Sequence, residues 1–349
     1  MLDDEIFDQQ EESRRSRRRG GSGWRVVRRT LLALLCVVLL VVAGAAGYVG
    51  YLNSKVADIK REALLPSDGA TGPDGKKVDP TKTTKGKKLV TGEGTNYLVI
   101  GSDARPGEGA SRADVIQLIH VPKDSSGVYL IHFPRDLYVD VPGRGKDKIN
   151  HSYAYGGAPL LVQTLQDLLG VKIDHVAKTD FEGFKQMTDA VGGVRVYAEQ
   201  ASSASGNGGV DIKQGWNDLN GEQALGFVRE RYQLSQGDIS RGERQQAWIK
   251  AIMTKALTPG ILLNPSKFSS FVEAGTSNSV VDDTLTTGKI RSQALKLRNV
   301  RGDDIHFVTA PYSGYGTGRG GMSIVVLDEP GMDRLADALA TDSMDSFDS

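Results

Sequence analysis

The chain has 349 residues, 39% of them hydrophobic and 25% charged, and its 43 Lys and Arg balance its 43 Asp and Glu. That is ordinary globular composition, and the balance removes any overall basic character that would argue for nucleic acid. The only cysteine, Cys36, excludes an intramolecular disulfide and any cysteine-built zinc or iron–sulfur centre.

The charge is unevenly placed. An acidic patch (Asp3, Asp4, Glu5, Asp8, Glu11, Glu12) precedes eight arginines between Arg14 and Arg29, and these stop where the apolar stretch Thr30 to Tyr51 begins. As a helix that stretch would reach about 33 Å, the depth of a bilayer core, so it is expected to be a single transmembrane helix. The positive-inside rule keeps residues 1–29 cytoplasmic and places the rest of the chain outside the cell membrane. A cleaved signal peptide would need a shorter apolar core, and a lipoprotein at Cys36 would need a small residue where Leu35 stands. Residues 52–95, rich in Lys, Gly, Pro, Asp and Thr, are expected to be a flexible stalk.

A domain over residues 96–340 follows. Tyr97 to Ile100, Val115 to Val121 and Val128 to Phe133 are short apolar runs separated by turn residues, which predicts three strands in a meander. Two chain reversals would bring Asp103, Asp114 and Pro134-Arg135-Asp136 to one sheet edge. Pro159 is expected to open a helix, after Gly156-Gly157, that carries Leu161, Val162 and Leu165 and stops at Gly170. A strand near Val171 to Ala177, a helix capped by Asp180 and a strand at Val194 to Tyr197 come next, and the alternation argues a mixed α/β domain.

Asn220 with Gln223 has the spacing of a capping box and should open a helix through about Val228. If the chain then becomes extended, Arg229 and Arg231 share a face and Glu230 points away. Ser240 with Glu243 is a second capping box, expected to open a helix from Arg241 to about Leu257 with Arg241, Arg244, Gln245 and Trp248 along one side. Arginines around a helix N-terminus suit an anion. Further on, a helix is expected near Thr287 to Leu297, strands at Ile305 to Thr309 and Ile324 to Leu327, a mobile loop at Gly314 to Gly321, and a closing helix after Pro330.

There is no G-x-S-x-G, S-x-x-K or H-E-x-x-H pattern, so serine hydrolase and zincin chemistry have no visible centre. What survives is a set of Asp, Arg and Lys residues, the kit for phosphoryl chemistry. Oxygen ligands suit Mg²⁺ (or Mn²⁺), with Asp103 and Asp114 as its ligands, and arginine forks match phosphate.

The stretches NYLVIGSDAR (96–105), SRADVIQL (111–118), HFPRDLYVDVPGRGKDKINHSYAYGG (132–157), DFEGFKQMTDAVGGVRV (180–196), LNGEQALGFVRERY (219–232) and GDISRGERQQ (237–246) resemble the LytR-CpsA-Psr (LCP) family. Ala113, Val115 and His132 depart from the family's usual polar residue, threonine and serine.

The resemblance implies a three-layer α-β-α domain behind a membrane anchor. It implies a phosphotransferase that moves an envelope glycopolymer from a polyprenyl-pyrophosphate carrier to a hydroxyl of peptidoglycan, with Mg²⁺ and an apolar tunnel for the lipid. By motif position, Asp103 and Asp114 would serve the metal, and Arg135, Arg229, Arg231 and Arg241 the pyrophosphate. Lys148, Gln245 and Asp238 match positions near the phosphates. Long helices such as Pro159 to Leu169 and Arg241 to Leu257 are expected to part and form the lipid pocket. A lipid pyrophosphatase would use the same site with water as acceptor. A membrane-bound transcriptional attenuator would need a DNA-binding element among the first 29 residues, where no helix-turn-helix pattern occurs, so no nucleic-acid partner is expected.

Overall fold

A computed structural model describes residues 47–347 except 71–74, 76, 103–112, 207, 257 and 263. The chain divides into two units, 1–54 and 55–349. Of the first, the described residues 47–54 are helical. The expected membrane span falls mostly outside the described residues, among which no helix is long and apolar enough to cross a membrane.

In the second unit a seven-stranded mixed sheet runs in the order β1-β10-β7-β2-β3-β4-β11. Its strands are β1 (Lys60–Glu62), β2 (Thr95–Ser102), β3 (Ala113–Val121), β4 (Val128–His132), β7 (His175–Thr179), β10 (Ser279–Asp282) and β11 (Ile305–Thr309). The expected meander is present, since β2 pairs antiparallel with β3 and β3 with β4. Alternation then sorts the side chains by face. Leu98, Ile100, Ile116, Leu118 and Ile131 are fully buried in one core cluster with Leu161, Val162 and Leu165 of α1 (Ile149–Leu169) and with Leu335 and Leu339 of the closing helix, Glu329–Ala340.

Val128 and Leu130 point the other way, into a cluster with Val300, Ile305 and Ile249 of the helix Asp238–Ala256. Gln246 of that helix donates through Nε2 to the carbonyls of Leu130 (3.3 Å) and Val308 (3.0 Å), fastening it across β4 and β11. Helices therefore cover both faces, giving three layers. The two helices expected to part around a lipid chain lie on opposite sides of the sheet, so the sheet itself separates them. On the α1 face Leu161, Val162 and Leu165 are buried in the core cluster, where truncating one leucine to Ala typically costs about 2–5 kcal/mol.

Helix α1 bends at Gly156 and Gly157, the latter at φ 63° and ψ −159°, so Pro159 sits in the first turn of the second half, and Gly170 ends it at φ 67°. Asp180 caps α2 (Phe181–Ala190) by accepting from Gly183 N at 2.8 Å. Asn220 and Gln223 form a complete capping box on α3 (Gly221–Arg229), with bonds of 2.9 and 3.1 Å.

Several expectations are corrected. The supposed stalk contributes strand β1 and buries Leu64 and Leu89, apolar residues too isolated in a polar stretch to show periodicity. Strand β7 starts at His175, leaving Val171 only an isolated bridge to Val90. The strand near Val194 is β8 (Val194–Ala198), which pairs with β9 (Gly215–Leu219) in a separate hairpin. The long helix α4 (Asp238–Ala256) begins three residues before Arg241, so Ser240 is inside it and its cap role is gone. The first half of the glycine-rich Gly314 to Gly321 belongs to strand β12 (Tyr312–Thr317), paired with β13 (Ser323–Leu327). Gly316 is required there, because a Cβ would sit 2.9 Å from Val326. These two join β5 (Leu137–Val141) and β6 (Gly145–Lys148) in a four-stranded second sheet.

Candidate active site

The meander sets the site at the edge where β3 begins and β4 ends. Asp114, the second residue of β3, accepts a short hydrogen bond from Arg135 Nη1. Arg135 is fixed from below: Phe133 N donates to Ile116 O (3.0 Å), Leu137 N to Pro134 O (2.9 Å) and Asn150 N to Arg135 O (3.1 Å). Arg135 Nε also lies 3.5 Å from Asp238 Oδ1 and 4.0 Å from Asp136 Oδ2. Lys148, at the end of β6, holds Asp136 at 3.0 Å. Asp238 opens α4 and pairs one turn on with Arg241, a favourable place for a carboxylate in the dipole field of a helix start. Asp114, Arg135, Lys148, Asp238 and Arg241 thus converge as the sequence suggested, and Asp136, expected at the same edge but not among the candidate site residues, joins them. Asp103 lies outside the described residues.

The centre of this cluster is buried. Burial raises the pKa of Asp238 above the usual carboxylate range, although Arg241 and Arg135 pull it down. Burial lowers Arg241, with Asp238 opposing. For Arg135 burial is outweighed by Asp114, Asp238 and Asp136 together, which lift it. Among the described residues, the buried side-chain polar atoms that make no hydrogen bond within the protein all belong to Gln117, His132, Arg135, Asn150, Asp238, Arg241 and Gln245. Buried polar groups are normally satisfied, so such a concentration around two arginines marks a place built to receive a polar ligand. Gln245 is one turn beyond Arg241 on α4, and its Oε1 is among these atoms.

His132 and Gln117 face each other across β4 and β3. Burial, and then the charge of Arg241, push the His132 imidazole down to about 3, so it is neutral. Both its ring nitrogens lack a partner, whereas His120 is bracketed by Asn96 and Asp342 at 2.8 Å each. Gly242 packs so closely on the ring that a Cβ there would come within 2.3 Å of Nε2.

The remaining arginines separate. The Arg231 guanidinium lies 4.6 Å from the centre of the Tyr232 ring, and Arg231 lines a 450 Å³ cleft with Asp136 and Asp238, so it joins the site. The Arg229 guanidinium sits 4.8 Å from the Phe181 ring centre, at the start of α2, and is not among the residues of that cleft. Glu230 is buried. Its Oε1 accepts from the amides of Arg231, Tyr232 and Gln233 (2.8, 2.8 and 3.1 Å), folding the loop that carries Arg231. Arg244 leaves the expected row: it donates to Ser202 Oγ (3.0 Å) and Gln200 O (2.7 Å) as a structural brace, and burial lowers it to about 10. Trp248 Nε1 donates to Thr188 (3.0 Å). Sequence reasoning missed Tyr232, Gln236 and Tyr315, which line the cleft. Only the exposed tyrosine that follows R-x-R could have signalled it.

Among the described residues no group of three or more His, Cys, Asp or Glu is arranged to hold a metal ion. Asp114 and Asp136 are hard oxygen donors beside an anion site, a set that takes Mg²⁺ only together with further oxygens from substrate phosphates.

A model of the LytR_cpsA_psr family matches residues 68–341. The chain is 36% identical over 228 residues to the probable cell wall biosynthesis protein LcpB of Corynebacterium glutamicum, covering 61% of this chain and 52% of that protein. It is 34% identical over 251 residues to the polyisoprenyl-teichoic acid–peptidoglycan teichoic acid transferase TagU of Oceanobacillus iheyensis, covering 70% of this chain and 74% of that one. It thus spans about half the length of the first relative and three quarters of the second. Among solved structures, B. subtilis TagV shares the fold with a TM-score of 0.61 at 23% identity, over 72% of this chain and 97% of that one. Protein gbs0355 of Streptococcus agalactiae does so at 0.62 and 23%, over 73% and 89%.

Proposed function

Because the chain belongs to the LytR-CpsA-Psr family, we propose that it is a phosphotransferase that moves an envelope glycopolymer from a polyprenyl-pyrophosphate carrier to a hydroxyl of peptidoglycan, outside the cell membrane. The TagU relative, whose name specifies transfer of teichoic acid to peptidoglycan, supports the substrate class. The arginine cluster and the membrane-length apolar stretch Thr30 to Tyr51 support the topology.

The observation that carries the reading is the buried pair of arginines, Arg135 and Arg241, which meet in Asp238 and leave Arg241 Nε and the nearby Gln245 Oε1 without a hydrogen bond among the described residues. Guanidinium forks in a desolvated pocket bind a diphosphate far better than water does, and they require no reorganisation as charge develops on the leaving group. In the reaction the acceptor oxygen bonds to the phosphorus that bears the glycopolymer. The P–O bond to the bridging oxygen breaks, and polyprenyl phosphate leaves with that bond's electron pair and takes up the proton that the acceptor hydroxyl gives up. Arg135 and Arg241 hold the phosphates and receive that charge, Arg231 closes the cleft side, and Lys148 fixes Asp136 beside Arg135. Mg²⁺ would be held by Asp114 and phosphate oxygens, with Asp103 by motif position. When bound, the ion would neutralise phosphate charge and orient the bond to be broken.

Mass spectrometry of the full chain purified from its membrane tests the reading. The expected result is a copurified polyprenyl pyrophosphate or phosphate that is absent from Arg135→Ala/Arg241→Ala protein. The reading fails if both proteins carry the same lipids.

A further inference from the structure

Arg231 lines the cleft beside Asp136 and Asp238, yet it stands on residues 230–237, which leave α3 and reach α4 without helix or strand. An arginine side chain carries about 2 kcal/mol of rotamer entropy. A guanidinium on such a segment is aimed only if something else fixes the backbone beneath it.

The neighbouring residue does this. Glu230 is 1% exposed, and its carboxylate accepts from four backbone amides, which fills the lone pairs of its two oxygens. Oε1 takes the successive amides of Arg231, Tyr232 and Gln233, a concavity of N–H groups of the kind that holds anions. Oε2 takes the amide of Gly208, at 3.1 Å, in the connection between β8 and β9. A Cβ on Gly206 would collide with Oε2, and one on Gly208 with the carbonyl of Gly226, so glycine is what lets the connection come this close.

The bend at Arg231 to Gln233 uses Oε1 alone, so the Oε2 bond serves a second end. Gln233 repeats that link, accepting from Ser203 N at 2.8 Å and donating to Ser203 O at 3.3 Å. Ser235 N donates to Gln200 Oε1 at 2.8 Å. The same connection is tied to α4, because Arg244 donates to Gln200 O and Ser202 Oγ. The backbone of Arg231 is thereby referred to the helix whose first turn carries Asp238 and Arg241. Hydrogen bonds to a buried charged acceptor are about twice as strong as neutral ones, so Glu230 is the firmest joint in this chain of contacts.

We propose that Glu230 is a positioning residue, seconded by Gln233. Its carboxylate joins the β8–β9 connection to the arginine loop and so sets Arg231 in register with Arg241 across the cleft. This rests on the phosphotransferase reading and adds to it the group that aims one of its arginines. Glu230→Gln keeps the side chain's shape, but its NH₂ must face either the Gly208 amide or the amides of the bend, donor against donor.

The test measures two quantities on the full chain in detergent micelles: the transfer rate with Mg²⁺, and the affinity for inorganic pyrophosphate in EDTA. Glu230→Gln should lower both about tenfold in the parent and change neither in Arg231→Ala, because a misplaced backbone matters only while the guanidinium is there to be aimed. Gln233→Ala should show the same dependence on Arg231 with a smaller loss, and it decides by the same comparison if Glu230→Gln does not fold. Equal losses in the two backgrounds, the mark of a merely structural role, would overturn the proposal. So would a Glu230→Gln or an Arg231→Ala protein that matches the parent in both quantities. A parent that binds pyrophosphate without transfer overturns the phosphotransferase reading, and the pyrophosphate comparison still judges Glu230. A parent that does neither overturns both.

Discussion

Replacing Asp238 with Asn removes the carboxylate that Arg135 Nε approaches at 3.5 Å and that Arg241 pairs with in the first turn of α4. The carboxylate is buried, and burial already holds its pKa up, so the pair is not a net source of stability. What matters is what the substitution leaves behind. Arg241 loses its partner in a buried setting, while Arg135 keeps Asp114. Breaking one side of a buried pair costs about 3–5 kcal/mol, and the retained Asp114 places the cost near the lower figure. At about 2–4 °C per kcal/mol for a large domain, the melting temperature should drop by about 6–12 °C. Inorganic pyrophosphate in the presence of EDTA should then raise the melting temperature of Asp238→Asn more than that of the parent, because the anion supplies the counter-charge that the carboxylate no longer provides. Thermal unfolding with and without pyrophosphate measures both effects. An unchanged melting temperature, or an equal pyrophosphate gain in the two proteins, would refute the view that these arginines are held ready for a phosphate.

Three further outcomes follow from the geometry. Arg231→Lys keeps the charge but loses the planar fork beside the cleft, so transfer should fall at least tenfold while folding is unaffected. Arg229→Lys should change transfer less, since Arg229 lies over Phe181, and steady-state kinetics of the pair would expose the reverse order. Gly242→Ala drives a Cβ into the His132 ring and should destabilise by about 1–3 kcal/mol. The added His132→Ser, which vacates the space, should recover part of that loss, whereas additive losses in urea unfolding would show that the two residues do not press on each other. The free imidazole titrates near 6.5 and the buried one near 3, so the unfolded chain binds the extra proton. Stability should be full above about pH 6.5 and fall as pH drops, by up to about 1.4 kcal/mol per unit. His132→Asn should flatten that slope between pH 6.5 and 4.5, and an identical slope would mean the ring is not held neutral.

The meander and the helix starts were legible in the sequence because their signals are local. Tyr97 to Ile100 ends in Gly-Ser-Asp, Asn220 has Gln223 three residues on, and Gly156-Gly157 precedes Pro159. From the meander alone, Asp114 and Arg135 could be placed together, and the structure pairs them. Other features depended on contacts distant in sequence. Strand β1 is three residues long and exists because β10 lies beside it. β12 is glycine-rich, so its strand character comes from β13 and not from propensity. Ser240 and Glu243 carry a genuine capping-box spacing, but the helix extends back to Asp238, where the side chain meets Arg135 and Arg241 instead. Arg244 shares a helix side with Arg241 by periodicity, yet the carbonyl of Gln200 and the hydroxyl of Ser202 claim it. Opposite-face placement of the two long helices follows from the pairing of β4 with β11, a contact between residues more than 170 positions apart.

Transfer to a peptidoglycan hydroxyl is measured directly by reconstitution. The full chain, Mg²⁺ and a polyprenyl-pyrophosphate-linked oligosaccharide are combined with or without peptidoglycan, and the products are resolved by mass spectrometry. The expected product is an oligosaccharide joined to peptidoglycan through one phosphodiester, with an equal amount of polyprenyl phosphate released, only when peptidoglycan is present. Release of oligosaccharide phosphate at the same rate with or without peptidoglycan, and no joined product, would contradict it and make the protein a pyrophosphatase.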